Sequence, residues 1–423
     1  MNPETVCSSA MRDDQKTSVV LPKKWDEMTD VAVIGSGFAG LAAAIEAKNA
    51  GASVLILEKM KGYGGNSIIS DGMIAGAGTP MQERAGIKDS PELMYRDMVE
   101  AGLGLNHPVL ARTLVENSNQ VVQWTIDYLG VTYKDRVDRL GGHSVARSYT
   151  TYNRSGSAII KRLIAKVKEL GIEVRKQMYL QKIMRDESGS VIGVAMRDGY
   201  DYPESQSGIL KYLKATRGVI LATGGFANDI PFRSTQDPRL TEDIDSTNRV
   251  CTTSEALKEA LRIGAFPIHL SWIQLGPWAC PDEKGYGVGS DFSGYIVFPY
   301  GVIINPTTCR RFVNELADRK QRADAILKVG QPCIGIADSE GIEQSGYRID
   351  HCVRKGVVKQ FGTLAELAFT YNLSFETVKE TIDRYNRAVD KQLDEEFIKP
   401  ITPGSKPLVL SLIHISEPTR LKT

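Results

Sequence analysis

At 423 residues, 42% of them hydrophobic and 24% charged, the chain has ordinary globular composition and the length for two domains with separate cores. Its 52 Lys and Arg stand against 51 Asp and Glu, a net charge of +1, so no global field selects nucleic acid or another polyanion as partner. The six scattered cysteines, Cys7, Cys251, Cys280, Cys309, Cys333 and Cys352, form no CxxC, haem-attachment or zinc spacing, and a reduced cytoplasmic protein without a metal site is expected.

Residues 1–28 mix charges with Pro and Ser, lack an apolar signal region, and read as a tail or linker. No apolar run approaches the roughly 20 residues needed to cross a bilayer. "DVAVIGSGFAGLAAAIEAKNAGASVLILEK", Asp30 to Lys59, then joins two all-apolar runs through an Ala-rich stretch, the pattern of two buried parallel strands with a crossover helix. From Ser90 to about Lys168 the period is mostly helical, closing at the helix-stop Gly171. "EVRKQMYLQKIMRDESGSVIGVAMRDG" alternates as strands with turns at "ESGS" and "RDG". "RGVILATGGFAND" is a further buried strand ending in a glycine pair, and "SEALKEALRIGA" an amphipathic helix closed by Gly264. Beyond Ser271 the texture turns to Trp, Pro and Tyr, and "WIQLGPWACPDEKGYGVGSDFSGYIVFPYG" reads as strands and long loops. A boundary is expected there, giving one domain over 29–270 and a second over 271–409.

Gly35, Gly37 and Gly40 form GxGxxG at the tip of the first strand, with Ala39 inside the turn. The first glycine permits the tight turn, the second lets the backbone approach a pyrophosphate, and the third lets helix and strand close up. A phosphate there meets the free N–H groups of the helix N-terminus. Glu58 ends the second strand, where a carboxylate accepts from both ribose hydroxyls and disfavours a 2′-phosphate. A second cluster, "GYGGNSIISDGMIAG", brings Gly64, Gly65, Gly72, Asn66 and Ser67 into a stretch suited to a cofactor reaching past its pyrophosphate to a flavin, or else to a surface loop.

In order along the chain, "VIGSGFAGLAAAIEA", "EKMKGYGGNS" and "GVILATGGFAND" resemble the FAD-binding flavoproteins of fumarate reductase, flavocytochrome c, urocanate reductase and the 3-ketosteroid dehydrogenases, from about Asp30 to about Lys406. The resemblance implies an α/β fold: a Rossmann-like FAD-binding domain (GR2-type) plus an α+β substrate-capping domain. It implies that Gly35, Gly37, Ala39, Gly40, Glu58, Lys59, Gly64, Gly65, Asn66, Ser67, Gly72, Thr223, Gly224 and Gly225 hold FAD. No histidine lies between Lys59 and Asn106 to tether a flavin, so the FAD is expected to be noncovalent.

"RRFVNELADRKQRADAIL" resembles the family's RFVNE segment, in which an arginine five residues after the Asn protonates substrate; here that is Arg319. Glu315, four residues earlier, pairs with it if the segment is helical and contributes to substrate binding. Without the family, an exposed helix laced with Glu–Arg pairs describes the same letters. The residues that hold a second carboxylate in fumarate reductases have no counterpart: Gly276 stands at the histidine position, and "SGYIV" offers no acid. Aromatic residues crowd this region, and Tyr295 is the first candidate for substrate contact. His143 and Arg147 are weighed as facing the site and not adopted.

The function implied is FAD-dependent reduction of the C=C bond of an α,β-unsaturated carboxylate, acids larger than fumarate such as urocanate or an aryl-acrylate included, by hydride transfer from the flavin and protonation by Arg319, with electrons from an external redox partner. A 3-ketosteroid Δ1-dehydrogenase and a non-catalytic dinucleotide-binding chain are the alternatives. After "ITPGSKP" the family's chain returns to the flavin, whereas Leu410 to Arg420, "LSLIHISEPTR", matches the translation of a transposase-type sequencing-library adapter, with a terminal strand as the competing reading. On the adapter reading 410–423 is an artefactual tail, the C-terminal return of the FAD domain is missing, and this chain is inactive by itself.

Overall fold

The computed structural model describes residues 21–280, 283 and 287–409, together with the backbone of 411–416 and 420–422. It divides into two units, each built from interleaved stretches. One comprises the chain up to Gly65 with Leu163–Gly224 and Glu255–Phe266; the other comprises Asn66–Arg162, Gly225–Ser254 and the chain from Pro267 onward.

The first unit is a six-stranded sheet. Its strands are β1 (Glu27–Ile34), β2 (Val54–Leu57), β3 (Glu173–Arg175), β4 (Met178–Arg185), β5 (Val191–Asp198) and β6 (Ile209–Leu221), in the order β3-β2-β1-β6-β5-β4. β1 runs parallel to β2 and to β6, and β2 parallel to β3; β4, β5 and β6 form an antiparallel meander. The near-continuous apolar runs follow from burial on both faces, since Ala32, Val33 and Ile56 are fully enclosed. Helix α1 (Phe38–Asn49) buries Leu41, Ala44 and Ile45, and helix α2 (Glu255–Arg262) sets Ala256 and Ala260 into the core with Leu55, Leu57, Met196 and Leu213. β6 begins eight residues before the expected "RGVIL", because its first half alternates against β5 while its second half pairs with β1.

The second unit holds a five-stranded antiparallel sheet. Strands β7 (Val302–Asn305), β8 (Arg310–Arg311), β9 (Ile334–Asp338), β10 (Val358–Thr363) and β11 (Ser411–Ser416) lie in the order β8-β7-β9-β11-β10. Its pleat separates two cores. Ile303 and Ala337 pack with Phe292, Phe298 and Ile326, while Val302, Ile304, Ile334 and Ile336 pack with Leu367, Ile382 and Tyr385. Helix α3 (Arg319–Val329) is capped by Asp318, whose side chain accepts from Gln321 N–H, and stops at Gly330 in the left-handed region. Helix α4 (Phe375–Lys391) covers the second core with Val378, Ile382, Tyr385 and Val389.

One expectation changes here. The "GSDFSGYIVFPY" stretch, read as strand and loop, is helical throughout Gly289–Tyr300 with a π-turn at Ser293–Val297. Its buried residues Phe292, Ile296 and Val297 recur at helical spacing, which the surrounding Gly and aromatic residues obscure. Within the segment read as adapter-derived, residues 411–416 form β11, between β9 and β10. Backbone pairing of this kind requires only an extended chain and does not report on the segment's origin.

Candidate active site

In the first unit, Gly35 takes φ +106°, and a Cβ on it would meet the Ala222 carbonyl oxygen at 2.4 Å; a Cβ on Gly40 would meet the Gly35 oxygen at 2.0 Å. The turn therefore admits only glycine at both places and brings it against the end of β6, where Ala222 N–H donates to Ile34 O at 2.8 Å. Gly37 caps α1 without a side-chain hydrogen bond, and no acid occupies the first helical turn, so its backbone N–H groups face outward beside the exposed Ala39. Thr223 and Gly224 are also exposed, and no described atom lies within 4 Å of a Cβ built on Gly224. Gly225 is the first residue of a stretch of the second unit and is likewise exposed.

Glu58 directly follows β2 and has 7% of its surface exposed. Its Oε2 accepts from Ser36 N–H at 3.1 Å and from the Ser36 hydroxyl, while Oε1 accepts from Met60 N–H at 2.9 Å. The Ser36 hydroxyl oxygen in turn accepts from Gly64 N–H at 3.0 Å. Lys59 pairs with Glu255 at 3.4 Å on the rim of this unit. The glycine cradle, the uncapped helix end and the fixed carboxylate fit a dinucleotide: pyrophosphate against Gly37 and α1, ribose against Glu58. Glu58→Gln, which exchanges a charged acceptor for a neutral one, should weaken FAD binding about 10- to 100-fold in a fluorescence titration of apoprotein.

In the second unit, Asn66 is a tie within the fold. Its Oδ1 accepts from Arg249 N–H at 2.8 Å and its Nδ2 donates to Asn248 Oδ1 at 2.5 Å. Ser67 O accepts from the Ser70 hydroxyl at 2.9 Å. Gly72 is required by packing, since at φ +67° a Cβ would lie 2.3 Å from Thr151 Oγ1. Gly65, at φ +47°, opens the short turn Gly65–Ile69.

Arg319 is the first residue of α3 and is solvent-exposed. With its amide oxygen turned inward, Gln274 accepts from Arg319 Nη1 at 2.7 Å and Nε at 3.3 Å. Sequence reasoning missed Gln274, although it belongs to the quoted "SWIQLGP". Glu315 has other partners than expected. The helix starts only at Arg319, and the fully enclosed Glu315 carboxylate accepts from Arg311 Nε at 2.9 Å, Arg311 Nη2 at 2.7 Å and Ile303 N–H at 3.1 Å, with Lys399 at 3.5 Å. Arg311 also donates to Asp394 at 2.8 Å. Burial alone would raise Glu315, but Lys399 and Arg311 outweigh it and hold the carboxyl below its ordinary range. Burial pushes Lys399 down to about 8 against the pull of Glu315.

The Tyr295 hydroxyl donates to Asp71 at 3.2 Å, and its ring stacks on Tyr347 with centroids 4.3 Å apart. The Arg154 guanidinium lies 5.1 Å from the Tyr295 ring and 4.1 Å from that of Tyr347. Phe292 and Phe298 belong to the core. Trp278 contributes backbone to a strand, and its side chain lies outside the described residues. Arg147 is fully buried in a bidentate pair with Asp89, at 2.9 and 3.0 Å, and pairs also with Asp97. His143 is lowered by burial and by Arg147.

A family described as FAD binding domain matches residues 30–417. The chain belongs to this flavoprotein family. Over 391 residues the flavoprotein is 42% identical to the acrylate reductase flavoprotein subunit of Shewanella woodyi, covering 90% of this chain and 76% of that protein. It is 31% identical over 395 residues to the NADH:fumarate oxidoreductase of Klebsiella pneumoniae, covering 92% of this chain and 40% of that protein. Among solved structures, a flavocytochrome c3 fumarate reductase in its open conformation superposes with a TM-score of 0.68 at 27% identity, over 93% of this chain and 66% of that one. The chain thus spans two fifths to three quarters of these relatives' lengths. The cofactor of the family is FAD, and the chain is an FAD-dependent oxidoreductase. Among the described residues no helix is long and apolar enough to cross a membrane.

Proposed function

We propose that the flavoprotein reduces the C=C bond of a monocarboxylic α,β-unsaturated acid. The carrying observation is Arg319, exposed at the start of α3 and oriented by Gln274, in the register of the RFVNE segment. FAD, held noncovalently at Gly35, Gly37, Gly40 and Glu58, would when bound and reduced supply hydride for the β-carbon. The guanidinium then faces a strongly basic α-carbon, to which even a donor of high pKa transfers a proton, and its charge stabilises the negative charge that forms. Gln274 fixes the plane of the guanidinium, and Glu315 anchors the motif below it through Arg311 and Lys399.

Gly276 and the acid-free "SGYIV" leave no residue there for a second carboxylate, which supports a monocarboxylate over fumarate. The acrylate reductase relative supports the small end of the size range, while the Tyr295–Tyr347 stack under Arg154 supports a flatter, conjugated acid. An external redox partner supplies the electrons. The test is anaerobic turnover of the full-length protein with reduced viologen and a panel of acrylate, an aryl-acrylate, urocanate and fumarate. A monocarboxylate should lead; preference for fumarate would overturn the substrate class.

A further inference from the structure

The described residues include four arginines buried at 6% exposure or less: Arg147, Arg233, Arg311 and Arg322. Three are saturated. Arg147 has Asp89 and Asp97, Arg311 has Glu315 and Asp394, and Arg233 donates to the carbonyls of Leu240, Ala227, Thr241 and Ile244. Arg322 is different. Its Nε is buried without a hydrogen-bond partner, and the guanidinium rests 4.3 Å from the Phe298 ring centroid. The charged groups around it are Arg319, Asp318 and Glu315. Both acids are engaged elsewhere, Asp318 with Gln321 at the cap of α3 and Glu315 with Arg311 and Lys399. Burial, then the charge of Arg319, push Arg322 down to about 10.

A buried guanidinium that no carboxylate contacts directly is a poor device for stability. One turn separates it from Arg319 on the same helix face. We propose that Arg322 is a positioning residue for the reduction: its buried charge, with Nε unpartnered over the Phe298 ring, drives the Arg319 proton toward the substrate and favours the negative charge developing there. The inference rests on Arg319 as proton donor. In that step the hydride's electron pair forms the β-C–H bond, the π bond breaks and leaves its pair at the α-carbon, and the Arg319 N–H bond breaks as the proton is transferred. Arg319 then recovers a proton from water. Repulsion between the two cations is relieved as the proton leaves, which assists the transfer.

The experiment compares Arg322→Met and Arg322→Lys in the full-length, FAD-loaded protein. Arg322→Met should lower kcat about 10- to 100-fold with little change in KM, a smaller loss than removing a direct donor because the effect passes through Arg319. Arg322→Lys should recover most of it. The Tm of Arg322→Met should equal or exceed the parent's, because an unpaired buried charge has been removed. Parental kcat in Arg322→Met, no rescue by lysine, or a clear fall in Tm would each overturn the proposal. A parent that turns over no enoate sinks the proposed function instead, and the Tm comparison still decides whether Arg322 is held at a cost to the fold.

Discussion

Arg319→Ala in the FAD-loaded protein should lower kcat for enoate reduction by about two to four orders of magnitude, with FAD affinity and Tm near those of the parent. Arg319 is exposed at a helix start and its side chain braces no core, so its removal takes away proton transfer and charge stabilisation without a packing defect. Arg319→Lys should recover only part of the rate, since an ammonium cannot keep the planar, two-point contact with Gln274. Pre-steady-state mixing of the reduced protein with substrate, followed by flavin absorbance, reads the chemical step directly. Parental kcat in Arg319→Ala would move the proton donor elsewhere.

Glu315→Ala should destabilise the fold by about 3–5 kcal/mol, measured by urea denaturation. The carboxylate is fully enclosed and compensates both Arg311 and Lys399; alanine leaves two cations facing a single remaining acid, Asp394. The carboxylate's hydrogen bond from the Ile303 backbone N–H is lost as well, which unpins the start of β7. The same variant should lose activity only through the fold, so its residual folded fraction should keep a parental KM.

The glycine turn and the setting of Glu58 were legible because their constraints are local. Gly35 and Gly40 answer to contacts within one turn and the adjoining strand end, and Glu58 to its place directly after β2. Arg319 was legible only through its motif. Arg322 was not, because "RKQRADA" reads as a solvated helix and the burial depends on Phe298 in another element. Glu315 was misjudged for a similar reason: its partner Lys399 comes from far along the chain, and the four-residue spacing to Arg319 spans a turn instead of a helix. Asn66 and Gly72 were legible as positions of note, yet the structure uses them to hold the 248–252 and 151–155 loops.

The most direct test of the account is the direction of electron flow at the bound flavin. The full-length protein, its FAD photoreduced without oxygen, is mixed with a monocarboxylic enoate, and in parallel the oxidised protein is mixed with a 3-ketosteroid. Rapid return of oxidised-flavin absorbance with the enoate, and no bleaching by the steroid, is the predicted result. Flavin that stays reduced with every enoate but is bleached by the steroid would contradict it.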